Sequence, residues 1–261
     1  MKDKRVVVTG AASGIGRAVA VECHRRGAYV AALDINEEAL LNSVHDSDGQ
    51  HRWSTVTCDV GSEVSVAEAF DTVTTQLGGI EAVFANAGIE FNAPLHEFDA
   101  AQWRRVVEVN LVGVFLTCRE AIRTMVDEAH PGSIVCTSSP SAFVGFSGGG
   151  NSAYAASKGG ISAFVRSAAL DYAPRGIRVN AVVPGATQTP MLVAGLPASE
   201  RDAEMQRIAD AARNQVPLGR LGRAEEVAAA VVWLLSDESS YVTGTHLVCD
   251  GGLMAKSAND F

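Results

Sequence analysis

The stretch from Val6 to Asp34 restricts the fold more than any other part of the chain. Val6 to Thr9 is a short apolar run ending at Gly10, the pattern of a buried strand. The loop T-G-A-A-S-G-I-G, Thr9 to Gly16, leads into a helical pattern that runs through Arg26 and stops at Gly27. Tyr29 to Leu33 is a second buried strand, closed by Asp34. Glycines let a backbone turn sharply and approach a pyrophosphate without side-chain obstruction, and the helix that follows offers unpaired N–H groups to the phosphates. Gly10, Gly14 and Gly16 are spaced G-x-x-x-G-x-G rather than G-x-G-x-x-G. Alone, that spacing also describes a tight turn. The flanking strand and helix, with an acid ending the next strand, make it a dinucleotide site in which Ser13, Gly14, Ile15 and Gly16 face the phosphates. A carboxylate at Asp34 accepts hydrogen bonds from the adenosine ribose and repels a 2′-phosphate. Neither Ser13 nor Ile35 adds positive charge, so the expected cofactor is NAD rather than NADP.

The same alternation continues. Glu37 to Asp46 reads as a helix, Asp46 to Gly49 as a loop, and Trp53 to Cys58 as a third strand ending at Asp59-Val60. Ser62 caps a helix to about Leu77 that Gly78-Gly79 stops. Ile80 to Ala85 is a fourth strand leading into Asn86-Ala87-Gly88. A long helix is expected from about Ala100 to Ala129. Asn110 in its apolar interior either finds a partner or distorts the helix. Gly132 to Thr137 and Ile177 to Val183 are further strands, the second ending at Pro184-Gly185, and Thr245 to Cys249 is the last. Helices are expected over Ser152 to Ala173 and Glu225 to Leu235. Between them, residues 190–216 are helical but broken by proline, and read as a mobile flap over the cleft. Such alternation with short connections describes an α/β fold, a parallel sheet with helices on both faces. Ligands bind beyond the carboxyl ends of its strands, where Gly10, Asp34, Asp59 and Asn86 fall.

No repeat or boundary divides the chain. Its 261 residues, 47% hydrophobic, suffice for one core, so residues 1–261 read as a single dinucleotide-binding domain. A formal net charge of −9 without a basic tract argues against nucleic-acid and anionic-membrane partners. Five scattered cysteines, with no C-x-x-C, read as reduced thiols of a cytoplasmic protein. No cleavable signal is read at the start, and the longest apolar run, Val227 to Leu235, is too short to span a bilayer. Six histidines lack metal-ligand spacing, and no metal is expected.

The chemistry concentrates between Ser138 and Lys158. Tyr154 and Lys158 stand four residues apart, about one turn on one helix face. A phenol beside an ammonium is expected to ionise more readily, and a serine hydroxyl can hold an oxygen against it. The trio suits proton transfer at a carbonyl or carbinol.

In these motifs the chain resembles the short-chain dehydrogenase/reductase family over nearly all its length. The resemblance rests on T-G-A-A-S-G-I-G at Thr9, Asp34, Asp59-Val60, Asn86-Ala87-Gly88, Asn110, Ser139, Y-A-A-S-K at Tyr154 and I-R-V-N-A-V-V-P-G at Ile177. It implies a Rossmann-type, doubly wound sheet of seven parallel strands in order 3-2-1-4-5-6-7. Tyr154 becomes the catalytic acid/base, and Lys158 lowers its pKa and binds the nicotinamide ribose. Ser139 holds the substrate oxygen, and Asn110 anchors a water in a proton relay. Asp59 and Val60 flank the adenine, Asn86 to Gly88 line a ribose, and Thr187 and Thr189, after Pro184-Gly185, approach the carboxamide. In many relatives the serine lies thirteen residues before the tyrosine, which would be Ser141. The strand end I-V-C-T-S-S instead aligns Ser139, with a two-residue insertion in the Phe146 to Ser152 loop. The family further implies a homotetramer (or homodimer), with the helices of Asn110 and Tyr154 packed between subunits.

The expected reaction interconverts a secondary alcohol and a ketone. The alternatives are a 3-oxoacyl-carrier-protein reductase, which Asp34 and the acidic balance oppose, and a non-catalytic NAD-binding regulator, which an intact Ser-Tyr-Lys set opposes. The expected substrate lining is Glu90, Phe91, Pro140, Ser141, Phe143, Phe146, Met191, Leu192 and Leu196, with no carboxylate-binding arginine. It favours a neutral, fairly hydrophobic small molecule.

Overall fold

The computed structural model describes residues 1–44, 52–146 and 149–256. The expected Asp46–Gly49 loop lies outside the described residues, as does the middle of the loop expected to carry the insertion.

The strands are β1 (Arg5–Thr9), β2 (Tyr29–Asp34), β3 (Trp53–Thr57), β4 (Ala82–Ala85), β5 (Gly132–Thr137), β6 (Ile177–Pro184) and β7 (His246–Cys249). They form one seven-stranded parallel sheet in the order β3-β2-β1-β4-β5-β6-β7. The helices are α1 (Gly14–Arg25), α2 (Glu37–Val44), α3 (Glu63–Leu77), α4 (Ala100–Val107), α5 (Gly113–Asp127), α6 (Ser152–Tyr172), α7 (Ala198–Gln215) and α8 (Ala224–Leu235).

Strand side chains alternate between two faces. Val6, Val8, Val30, Ala32 and Phe84 pack with α1 and α8, while Val7, Ala31, Leu33, Val83 and Ile134 pack with α3, α5 and α6. Because both faces are covered, the central strands are apolar at nearly every position, which is why they read as continuous runs. Local signals terminate the elements. Ser62 accepts a hydrogen bond from the Ser65 N–H at the start of α3, and Gly78 ends it in the left-handed region at φ 72°.

The expected single helix from Ala100 to Ala129 is interrupted. A π turn, Glu108–Val112, separates α4 from α5. Asn110 lies in this turn and is fully buried. Its Oδ1 accepts from the Ile89 N–H at 2.8 Å, and its Nδ2 donates to the Ile89 carbonyl at 2.9 Å and to Ser157 Oγ at 3.3 Å. The residue thus finds partners and also widens the helix.

Residues 190–216 comprise a 3₁₀ turn, Pro190–Val193, followed by α7. Pro197 stands at the N-cap of α7, where its missing N–H costs nothing, so it starts this helix rather than breaking one. Among the described residues, no helix is long and apolar enough to cross a membrane.

Candidate active site

A cavity of about 560 Å³ opens along the carboxyl ends of the strands. Every expected site residue lines it except Gly16 and Asn110. On the glycine loop, Gly10, Ser13, Gly14 and Ile15 all face the cavity, the last three at the start of α1 where its first N–H groups are free. Gly16 and Asn110 stand behind the wall. A Cβ on Gly16 would collide with the Gly10 carbonyl oxygen and approach Asn86 Nδ2 to 2.7 Å, so this glycine lets the loop close onto its neighbours.

The nucleotide half is pre-assembled. The Asp34 carboxylate accepts from the Ala12 N–H through Oδ2 and from the Asn36 N–H through Oδ1, each at 3.0 Å. Its oxygens are held in place, with lone pairs to spare for vicinal hydroxyls. Asn86 binds the strand ends together: Nδ2 donates to the Thr9 carbonyl at 3.2 Å, and Oδ1 accepts from Thr137 Oγ1 at 3.1 Å. Asp59 is gripped by Arg105 Nη2 at 3.1 and 3.3 Å and accepts from the Gly61 N–H at 2.9 Å. Sequence reading missed Arg105. It comes from α4, distant in the chain, and no local pattern links it to Asp59. The glycine loop, the pre-oriented carboxylate and the open strand ends fit a dinucleotide.

The chemical half lies between β5 and α6. Ser139 follows β5 and caps a short 3₁₀ turn, its Oγ accepting from the Ser141 N–H at 3.2 Å. The Ser139 hydroxyl shares the cavity with Tyr154 and lowers the phenol's pKa against the effect of burial. The Ser141 hydroxyl instead accepts from Asn151 Nδ2 at 3.3 Å. Ser138 points away, sharing a 2.8 Å hydrogen bond with Ser162 Oγ and donating to the Lys158 carbonyl. Lys158 is buried, and its Nζ donates to the Thr137 carbonyl at 2.8 Å while standing 5.3 Å from the centre of the Tyr154 ring.

One electrostatic expectation is overturned. The Tyr154 phenol is pushed well above its ordinary value, first by burial and then by the negative charge of Glu90; the Ser139 hydroxyl opposes this. Burial also pushes the Lys158 ammonium down to about 8. Spacing along a helix brings the two groups together, but the dry surroundings, which spacing does not reveal, penalise both charged forms.

Of the expected substrate lining, Glu90, Pro140, Ser141, Phe146, Met191 and Leu192 face the cavity; Phe91, Phe143 and Leu196 do not. The α7 arginines stay on the surface: Arg207 pairs with Glu204, Arg213 with Asp210, and Arg201 donates to the Leu196 carbonyl.

Comparison with known proteins agrees with this geometry. Residues 10–254 match the family model described as "Enoyl-(Acyl carrier protein) reductase". The chain is 47% identical over 254 residues to cis-4-hydroxycyclohexanecarboxylate dehydrogenase of Sinomonas cyclohexanicum, covering 97% of each protein. It is 38% identical over 256 residues to 2,5-dichloro-2,5-cyclohexadiene-1,4-diol dehydrogenase of Sphingobium indicum, covering 98% of each. The crystal structure of levodione reductase superposes with a TM-score of 0.88 at 34% identity, covering 98% of this chain and 100% of that one. Sheet order, cleft and relatives agree: the chain belongs to the short-chain dehydrogenase/reductase family, as an oxidoreductase that interconverts secondary alcohols and ketones with a nicotinamide cofactor.

Proposed function

We propose that this enzyme is NAD-dependent and acts on a neutral, ring-bearing secondary alcohol or its ketone, with Ser139, Tyr154 and Lys158 as its catalytic set. The observation that carries the reading is that Ser139, Tyr154 and Lys158 line one cavity together with Asp34, with Lys158 Nζ 5.3 Å from the centre of the Tyr154 ring. The substrate oxygen sits between the serine hydroxyl and the phenol, and Tyr154 takes its proton in oxidation and returns it in reduction. Lys158 holds positive charge beside the phenol and reaches the nicotinamide ribose. When bound, the nicotinamide ring supplies the hydride acceptor of oxidation and the hydride donor of reduction. Asn110 holds the relay water; with both amide protons donated, a lone pair of Oδ1 is what its side chain keeps for it.

NAD preference rests on Asp34, whose fixed carboxylate accepts ribose hydroxyls and repels a 2′-phosphate. Ser13, Gly14 and Ile15 meet the phosphates at the start of α1, with Gly16 behind them. Asp59 and Val60 flank the adenine, Asn86 to Gly88 line a ribose, and Thr187 and Thr189, beyond Pro184 and Gly185, face the carboxamide. Neutrality is supported by a mainly apolar lining with Phe146, Met191 and Leu192, and the ring by relatives named for a hydroxycyclohexanecarboxylate and a cyclohexadienediol. Residues 190–216 serve as the flap, and residues 1–261 as one domain. A homotetramer in the cytoplasm completes the reading, packed through α5 and α6, where Phe115 and Leu170 are exposed, with Val112 exposed just before α5. A carrier-protein reductase is disfavoured by the net charge of −9, which would repel an acidic carrier.

The test is to titrate NADH and NADPH into wild type and Tyr154→Phe while assaying cyclohexanol oxidation. Both proteins should bind NADH at least tenfold more tightly than NADPH, about 1.4 kcal/mol, and the variant should lose turnover. Normal turnover by Tyr154→Phe, or a preference for NADPH, would sink the proposal.

A further inference from the structure

We propose that Glu90 selects the substrate: its carboxylate accepts a hydrogen bond from a second hydroxyl, so the preferred substrate is a cyclic diol rather than a simple ring alcohol. The inference rests on the reaction proposed above and names the substrate class of that site.

The argument begins with the charges that line the cavity. These are Asp34, Asp59, Glu90, Arg105 and Lys158. Asp34 is engaged by the Ala12 and Asn36 N–H groups, and Asp59 and Arg105 neutralise each other at the adenine end. Lys158 is committed to Thr137 and Tyr154. Among the described residues that line the cavity, Glu90 is the charged side chain that remains. It is half-buried, and among the described residues it forms no ion pair. Burial raises its carboxyl above the usual carboxylate range, and the neighbouring Asn92 and Lys158 oppose this. A carboxylate has about four lone-pair sites, so most of its accepting capacity stays open to the cleft.

Its position is also fixed. Immediately before it, Asn110 binds both the N–H and the carbonyl of Ile89. Three residues after it, the Ala93 N–H donates to the Gly150 carbonyl at 3.0 Å, tying this wall to the loop that follows Ser139. Glu90 therefore sits between two backbone anchors, one on the π turn and one on the substrate loop. Glu90, Tyr154 and Lys158 line the same cavity. A half-buried carboxylate that forms no ion pair among the described residues, on a mainly apolar cavity wall, is costly unless a donor meets it. A hydroxyl on the substrate is a donor of the right kind; a carboxylate or a bare methylene is not.

The experiment compares wild type, Glu90→Gln and Glu90→Asp. It uses NAD⁺ with cyclohexanol and with cyclohexane-1,2-, 1,3- and 1,4-diol. Wild type should favour at least one diol over cyclohexanol in kcat/KM by about tenfold or more, the scale of a hydrogen bond to a charged group. Glu90→Gln should reduce that ratio about tenfold, mainly through KM, and Glu90→Asp should keep part of it. An NADH titration of each variant reports that the fold is intact. If Glu90→Gln fails to bind NADH, the ratio in Glu90→Asp decides, and no change there overturns the proposal. It is likewise overturned if wild type shows no diol preference, or if diol and cyclohexanol activity fall in parallel, as a structural role would produce. Wild type that binds NADH yet oxidises none of these alcohols overturns the reaction assignment itself.

Discussion

Lys158 shows how burying a single charged side chain costs stability. Burial holds its ammonium near 8, against an ordinary value of 10.5. Between those values the unfolded chain keeps a proton that the folded chain has released, so stability from this group rises with pH across the window. Below about pH 8 the full penalty of the buried charge is present. Lys158→Met should therefore be more stable than wild type at pH 7 by about 1 to 3 kcal/mol, part of the gain being offset by the unpaired Thr137 carbonyl. The gap should narrow between pH 8 and 10.5, while turnover is lost. Urea denaturation at pH 7 and at pH 10 checks this; a variant less stable at both refutes it. At this scale the residue types and their spacing were legible from sequence, and Ser139, aligned by its strand end, lines the same cavity as Tyr154. The direction of the Tyr154 shift was not legible. It depends on how much protein surrounds a side chain and on Glu90, far away in sequence.

Among the elements, the π turn has the clearest energetic role. Asn110→Ala leaves the Ile89 N–H and carbonyl without partners, which should cost about 2 to 4 kcal/mol, read as a fall in the urea midpoint. NADH binding should weaken less than turnover, because the displaced wall adjoins the substrate rather than the adenine. An unchanged midpoint would contradict this account. The strands were legible because residues buried on both faces form apolar runs, and caps such as Ser62 and Gly78 marked the helix ends. The split of the long helix into α4 and α5 was not, since Val106 to Val112 keeps a helical pattern throughout. What announced it was one amide in an apolar run, whose partner is set by tertiary structure.

At the level of the whole molecule, both apolar clusters share a single sheet, with β1 and β4 at its centre contributing to each. Scanning calorimetry should record one cooperative unfolding transition for residues 1–261; two well-separated transitions would refute the single-domain reading. The alternation of strands and helices was visible in the sequence, whereas the order of strands came from family resemblance, because periodicity carries no information on neighbours. The tie between Ala93 and Gly150 has a further consequence. Gly150 adopts φ +58°, and a Cβ there would lie 2.8 Å from the Ala93 carbonyl oxygen, so this closure admits little else. The loop that begins at the Ser139 cap ends at this weld, so both of its ends are anchored. The segment between these two anchors is thus an exchangeable cartridge beside the cleft. Evolution, or a designer, can replace that insert while the proton-transfer machinery stays in register.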